Sequence, residues 1–506
     1  MLLSAYLVLG ALFAVRTPPW QAPDEPAHYN YVRQLVEGQL PVIEPGDWDQ
    51  SYLSQIVGAE FAPAYPVDGI TYEDWQPPLY YLLQAPVYAL TGGSLTAMRL
   101  LSVALGAGVV ALAYVVGRAV FGRVAPALAV AAFVAFLPQH LAILGSVNND
   151  ALSELIIAAI LALLVTPWPD APPEGGRASR RLLALGLLLG AGFLTKGQAY
   201  LMAPVVGVFL LVHYWPRPDR LPRPVRSMQL VRSLLLVFVP ALLIGLLWWG
   251  RNVTVYGGVD VIGKAAHDAV VVGQPRTAEW LAQYGLAGTL GRFARTTFVS
   301  FWGQFGWMAA PLPGWMVGGL LALTGVAALG LLLAVVQAQG SKPPRPMGEG
   351  WGECSSTQGS KPPRPMGEGW GEGSPAHRSQ EHAARSASED ADSATRHPPP
   401  ATRLYSSLVT RRSSLVLGLT FLLTLGLHIA YNLTFVQHQG RYLYPALIPI
   451  AVGFVAGLNY WLRALVGRFA KSPYTAEWLL PVGLAGLLIG IALFALWRIL
   501  PGLAPG

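Results

Sequence analysis

The sequence predicts an all-α polytopic membrane protein with about eleven transmembrane helices, and three observations carry that reading. Of 506 residues, 53% are hydrophobic and only 12% are charged, against about 25% charged in a soluble domain. Much of the charge crowds into residues 337–412. The rest of the chain is divided into apolar runs near the length that crosses a ~30 Å hydrocarbon core. These runs cover 2–16, 97–118, 124–145, 150–166, 181–195, 198–215, 232–250, 314–336, 413–431, 442–462 and 478–499. Length alone would allow about three soluble domains; composition excludes them.

The first run lacks a basic flank before it and a small-residue cleavage site, so it reads as an uncleaved span. Residues 78–90 are apolar but short and contain Pro86, Tyr80, Tyr81 and Tyr88. The excess of basic residues in cytoplasmic connections decides their status. If they lie on the membrane, Arg118/Arg123, Arg177/Arg180/Arg181, Arg217/Arg220/Arg223/Arg226/Arg232 and Arg463/Arg468/Lys471 all fall on one side. Counting 78–90 as a span would put every later arginine-rich connection outside. The expectation is therefore an N-terminus inside, a C-terminus outside and an interfacial helix at 78–90, in a bacterial-type cytoplasmic membrane. The net charge of +7 is then an orientation signal, not a surface for nucleic acid.

This topology predicts an N-terminal membrane module, 1–336, with extracytoplasmic loops 17–96 and 251–313. A cytoplasmic loop, 337–412, follows, and a three-helix membrane segment, 413–506, ends the chain. In the cytoplasmic loop Gln339–Glu353 recurs verbatim as Gln358–Glu372. Its Pro, Gly, Ser and mixed charge predict disorder, and two copies are too few for a solenoid. The single cysteine, Cys354, lies there, which excludes a disulfide framework and a Cys-based metal site.

The informative charges lie on the outer side, near span ends, where a charge is rarely without a partner. Loop 17–77 carries ten acidic residues against Arg33 alone. It opens as Pro18-Pro19-Trp20-Gln21-Ala22-Pro23-Asp24-Glu25-Pro26-Ala27-His28. Its prolines stiffen the chain and fix Asp24 and Glu25 near the membrane surface, with His28 behind. Such a fixed carboxylate suits a general base; the plainer reading is a turn whose acids face water. Asn148-Asn149-Asp150 follows the third run, with Glu154 a turn later; these residues either cap a helix or bind a ligand. Lys196, Arg251 and Arg441 are isolated cations at span ends. Each alone could be snorkelling, but together they suit an anion such as a lipid phosphate. Trp302, in Ser300-Phe-Trp-Gly-Gln-Phe-Gly-Trp307, belongs to an interfacial aromatic belt or a sugar-stacking surface.

Together these residues resemble a family. A first outer loop opening with Asp-Glu, Pro77-Pro78-Leu79-Tyr80-Tyr81, a span ending in Asn-Asp, Leu194-Thr195-Lys196-Gly197 and Gly440-Arg441-Tyr442 look like the GT-C membrane glycosyltransferases. Within them, the nearest comparison is the protein O-mannosyltransferase and aminoarabinose-transferase branch. The resemblance implies a GT-C-like fold and inverting transfer of a sugar from a polyprenyl-phosphate donor to a lipid, glycan or protein acceptor on the extracytoplasmic face. Carried over by position, Asp24 is the general base and Glu25 orients it or the sugar. Lys196, Arg251 and Arg441 hold the donor phosphate, while His28, Asn149, Asp150 and Trp302 contact acceptor or sugar. The chain departs from the pattern in having no Asp-x-Asp metal motif near the first loop, so neither metal nor cofactor is expected. It also carries no separate soluble C-terminal domain after the spans, leaving loops 17–77 and 250–313 to read the acceptor. The competing reading is a transporter or flippase of a lipid-linked saccharide, which would place ionisable residues near the bilayer midplane.

Overall fold

The computed structural model describes residues 1–168, 176–214, 223–340, 400–469 and 477–505. The duplicated repeat of the expected cytoplasmic loop lies almost wholly outside the described residues. Two compact units divide the chain: Met1–Val335 with Val409–Gly506, and Val336–Leu408. Of the smaller unit only two helix ends, 336–340 and 400–408, are described. All that follows concerns the larger one.

Its elements are α1 (Leu2–Arg16), α2 (Glu25–Val36), α3 (Gln50–Gly58), α4 (Leu79–Thr91), α5 (Leu95–Phe121), α6 (Val124–Phe136), α7 (Pro138–Leu144), α8 (Asp150–Val165) and α9 (Gly176–Phe193). Then come α10 (Met202–Tyr214), α11 (Arg223–Tyr256), α12 (Lys264–Val270), α13 (Thr277–Trp302), the two-residue strands β1 (Gln304–Phe305) and β2 (Ala310–Pro311), α14 (Gly314–Gly340), α15 (Pro400–Asn432), α16 (Leu447–Phe469) and α17 (Leu479–Phe494). Among the described residues seven helices are long and apolar enough to cross a membrane: Leu95–Phe121, Gly197–Tyr214, Ser227–Tyr256, Gly314–Gln337, Arg412–Asn432, Gly440–Leu465 and Leu479–Leu503. The bent pair α6–α7 makes an eighth, and α1 is apolar but shorter. The protein is thus all-α and multi-pass, and each of the eleven apolar runs is helical. Exposed leucines such as Leu242, Leu243, Leu246 and Leu247 on α11 suit a lipid solvent, where a helix satisfies its own backbone.

The run 124–145 is not one straight helix, as its composition suggested. Pro138 forces Leu137 into an extended conformation (φ −59°, ψ 117°), and the two halves meet at a 61° bend. Pro138 also has no N–H for the carbonyl of Val134. The ring of His140 takes its place, with Nδ1 2.7 Å from that oxygen, so Nδ1 carries the proton. Its Nε2 meets Glu154 Oε2 at 2.7 Å.

Helix α5 is the central strut, packed against α1, α6 and α8. At Gly106 a Cβ would collide with the Tyr6 hydroxyl, so α1 can approach this closely only over glycine. Loop 17–78 forms a second small core at one end of the bundle, around Ile43, Leu53, Ile56, Phe61, Ile70, Tyr72 and Val271.

That loop is tied down by Arg99, which lies at the start of α5 and is 2% exposed. Its Nη1 donates to the carbonyls of Ala14 (3.0 Å) and Thr17 (2.7 Å), and its Nη2 to that of Pro18 (3.2 Å). Its Nε and Nη2 also grip Glu25 as a fork, at 2.7 and 2.5 Å. All five guanidinium donors are used. Removing one partner of such a buried pair strands the other charge, at a cost of about 3–5 kcal/mol. Arg99→Ala is therefore expected to lower the thermal midpoint of the detergent-purified protein sharply. Arg99→Lys should rescue little, because lysine has no fork. Unchanged midpoints would show that the clamp does not hold the loop.

Candidate active site

Asp24 is the N-cap of α2 and sits in the left-handed region, with φ 67°. Asp tolerates this conformation better than most residues. Trp20 shares it, also with φ 67°, and its carbonyl is held by Trp307 Nε1 at 2.9 Å. The turn thus throws the Asp24 carboxylate away from the Glu25 carboxylate. Asp24 Oδ1 accepts from the Tyr72 hydroxyl at 2.8 Å, and Oδ2 pairs with Arg441 Nη2. Burial alone would raise the Asp24 carboxyl; the Arg441 guanidinium, helped by the Tyr72 hydroxyl, overcomes it and holds the group at about 2.

Arg441 reaches Asp24 from Gly440–Ala446, a 3-10 turn that leads into α16. Gly440 permits this turn: a Cβ there would run into the backbone of Phe301 and Thr297, and its N–H donates to Ser300 Oγ at 2.7 Å. Arg441 is 7% exposed, yet its Nε and Nη1 have no hydrogen-bond partner. A second ion pair joins Lys196 Nζ to Asp150 Oδ1 at 2.6 Å. His28 is buried, with Nδ1 2.9 Å from the Tyr81 hydroxyl. Burial drives it down to about 3, so it is a neutral hydrogen-bonding group at physiological pH. It feels Asp24, Lys196, Asp150 and Arg441, which puts both ion pairs around one imidazole. Asn149 joins them, with Nδ2 3.3 Å from both Gln76 Oε1 and the Tyr81 hydroxyl. Its buried Oδ1 has no partner.

Asp24, His28, Asn149, Asp150, Lys196 and Arg441 are thus brought together. Three residues expected at the site have other duties. Glu25 is fully buried and saturated: besides Arg99, it accepts from the backbone N–H groups of Val147 (3.1 Å) and Trp20 (3.2 Å). Arg251 is turned to the outer loop, donating to the carbonyl of Pro41, to Asn252 Oδ1 at 3.0 Å and to the Tyr256 hydroxyl at 3.3 Å, with its Nε left without a partner. Its guanidinium also lies 4.6 Å from the centre of the Trp248 ring. Trp302 is a core side chain, 2% exposed and packed among Phe133, Phe298, Phe301 and Phe454. Its neighbours are aromatic and apolar because it ends α13 facing the bundle, not the loops. Glu154 gives Oε2 to His140, while its buried Oε1 has no partner.

Sequence reasoning missed Tyr72, Glu73, Gln76 and Tyr81 as site residues. The Pro-Pro-Leu-Tyr-Tyr motif was the available signal for Tyr81, whose ring stacks on Tyr31 at 3.7 Å. Tyr72 and Glu73 gave none, being two polar residues in a polar loop.

The two ion pairs thus lie around one imidazole in the helical bundle of a multi-pass membrane protein. Residues 75–244 match the family described as dolichyl-phosphate-mannose-protein mannosyltransferase. The match covers about a third of the chain and includes Asn149, Asp150 and Lys196. It bears out the resemblance to GT-C membrane glycosyltransferases. No curated protein matches the chain. Similar solved structures include the Saccharomyces cerevisiae protein O-mannosyltransferase Pmt1-Pmt2 complex bound to the sugar donor. That match is 19% identical and covers 50% of this chain and 33% of that one, with TM-score 0.38. ArnT from Cupriavidus metallidurans bound to undecaprenyl phosphate is 15% identical, with 99% and 73% covered and TM-score 0.43. The archaeal oligosaccharyltransferase AglB from Archaeoglobus fulgidus, in complex with an inhibitory peptide and a dolichol-phosphate, is 14% identical, with 98% and 55% covered and TM-score 0.39. The chain thus spans about a third of the length of the first of these and just over half of the third.

Next to the site, Asp74 is buried and accepts from Gln34 Nε2 at 2.8 Å, while its Oδ1 has no partner. Burial pushes its carboxyl up to about 8. A carboxyl raised by folding stabilises fully below its unfolded value, and that contribution is lost as pH climbs toward the folded value. Asp74→Asn, which preserves the acceptor for Gln34, should raise the thermal midpoint at pH 8 and leave it nearly unchanged at pH 4. The same shift at both pH values would refute the burial of a neutral acid at this position.

Proposed function

We propose that the protein transfers a sugar from a polyprenyl-phosphate-linked donor to an acceptor on the extracytoplasmic face, with inversion, and that Asp24 is the general base. One observation carries the reading: the buried guanidinium of Arg441 binds Asp24 with one nitrogen while Nε and Nη1 have no partner. A planar fork with donors to spare suits a phosphate. Lys196, paired with Asp150 across 2.6 Å, adds a point charge. In this reading Lys196 and Arg441 hold the donor phosphate, and His28, Asn149 and Asp150 face the sugar or acceptor hydroxyls. Arg251 and Glu25 shape the surrounding loops.

The acceptor oxygen attacks the anomeric carbon opposite the phosphate. The carbon–oxygen bond to phosphate breaks with its electron pair leaving on phosphate, and the acceptor proton passes to the Asp24 carboxylate. A carboxyl held at about 2 is a weak base. Phosphate arriving on Arg441 competes for the guanidinium and makes Asp24 more basic just when it is needed. Lys196 and Arg441 offset the negative charge that develops on the leaving phosphate, so the reaction is proposed to run without a divalent metal.

The test follows labelled sugar from polyprenyl-phosphate donors into membrane fractions. Asp24→Asn should lower incorporation by about 10²-fold or more, the usual contribution of a positioned base. Lys196→Ala and Arg441→Ala should raise the KM for donor, and a chelator should leave the wild-type rate unchanged. Equal incorporation by wild type and Asp24→Asn would remove the base assignment. Saccharide crossing the membrane without being incorporated would favour a carrier.

A further inference from the structure

Glu73 stands beside the site and is used by no step above. Its position is fixed on both sides: the Tyr72 hydroxyl binds Asp24, and Asp74 binds Gln34. Glu73 Oε2 is buried and has no hydrogen-bond partner. Among the described residues Glu73 forms no ion pair within 4.0 Å, although Asp24, Asp150 and Glu25 each have one. The charged and titratable groups facing it are Asp24 from the turn before α2, Lys196 from the turn after α9, Arg441 from the turn before α16 and its own neighbour Asp74. Gln76 and the tyrosines Tyr72, Tyr81 and Tyr431 complete its surroundings. It is therefore an acid without a counter-ion of its own, between the two cations assigned to an anion.

We propose that Glu73 is a donor-binding residue: its neutral carboxylic acid donates a hydrogen bond to the phosphate held by Lys196 and Arg441, and its ionised form expels that phosphate. The inference rests on the transfer reading above. An ionised carboxylate beside a bound phosphate would repel it with no cation to spare, since Lys196 and Arg441 already answer Asp150 and Asp24. A neutral acid removes that repulsion and satisfies its buried oxygen through the ligand. The electrostatics agree: burial and the neighbouring Asp24 charge push the Glu73 carboxyl up to about 7. Two adjacent carboxyls with their titrations driven apart is the pattern of divided acid and base duties.

The experiment measures binding of a polyprenyl-phosphate hexose to the detergent-purified full chain between pH 5.5 and 8.5. This phosphodiester keeps a single charge across the range, so a change in affinity belongs to the protein. Wild-type affinity should fall toward tenfold per pH unit above the Glu73 transition, and the affinity of Glu73→Gln, a neutral donor, should stay flat. Inorganic phosphate is the second probe: weak competition is expected, and strong competition would make free phosphate the ligand and overturn the lipid assignment. A third measurement needs no ligand. Infrared titration in an Asp74→Asn background, which removes the neighbouring raised acid, should show a carboxylic-acid band lost near neutral pH that is missing once Glu73→Gln is added. A variant that keeps that band, or follows the wild-type binding profile, overturns the proposal. If Asp24-dependent transfer survives while the pH effect is absent, only the Glu73 inference fails. If the pH effect is present and no sugar is transferred, the site binds the anion and the transfer reading fails instead.

Discussion

The active end of the molecule depends on one buried guanidinium. Arg99 takes up the last carbonyls of α1, where the helix leaves acceptors without partners, and grips Glu25 at the start of α2. A cation at a helix C-terminus and an acid in the first turn of the next helix are each placed as the helix dipoles favour. A single side chain thereby fixes the angle at which the chain leaves α1. That angle decides where Asp24 lies. Lysine could not do this, because the task requires five donors in one plane. The desolvation of Arg99 and Glu25 is offset only because every donor is matched.

The candidate site uses charge differently. There the two cations are each paired with one acid, Lys196 with Asp150 and Arg441 with Asp24, so the resting site is close to neutral and tolerates burial. Arg99 is saturated and inert; Arg441 is buried with two nitrogens unused. Exposure does not reveal this contrast, since the two are 2% and 7% exposed; under the proposed transfer reading it leaves Arg441 the arginine with donors for a ligand. Unpaired buried donors cost free energy, and a phosphate oxygen would repay it.

Much of the fold was legible because apolar run length is a direct reading of bilayer thickness. All eleven runs are helical, and the one that bends does so at a proline that the sequence displays. Asp24, Lys196, Asp150 and Arg441 were legible for a related reason: a charge next to a long apolar run stands out. Trp302 was misread because an aromatic at a span end looks the same whether it faces the belt or the bundle. Arg251 was misread because sequence shows a cation but not its partner, here a carbonyl more than two hundred residues away. Glu73 was hidden by its surroundings, an acidic loop in which Glu37, Glu44, Asp49, Glu60 and Asp68 do face solvent.

The adjacent pair Asp24-Glu25 shows why a motif cannot be carried over as a unit. Glu25 begins α2, so its side chain follows the helix and turns into the bundle toward Arg99. Asp24 precedes the first helical residue and takes a left-handed conformation, which frees its carboxylate to point the other way, toward Tyr72 and Arg441. Proline at 26 makes this division stable: it is favoured in the first turn of a helix and disfavours the helical conformation for the residue before it. The α2 start is therefore held at Glu25 by opposing demands, with the Arg99 fork supplying the tertiary contact that settles it. The prolines around the acids then set the direction of both carboxylates. They keep the Glu25 carboxylate in the frame of the protein and turn that of Asp24 toward Tyr72 and Arg441.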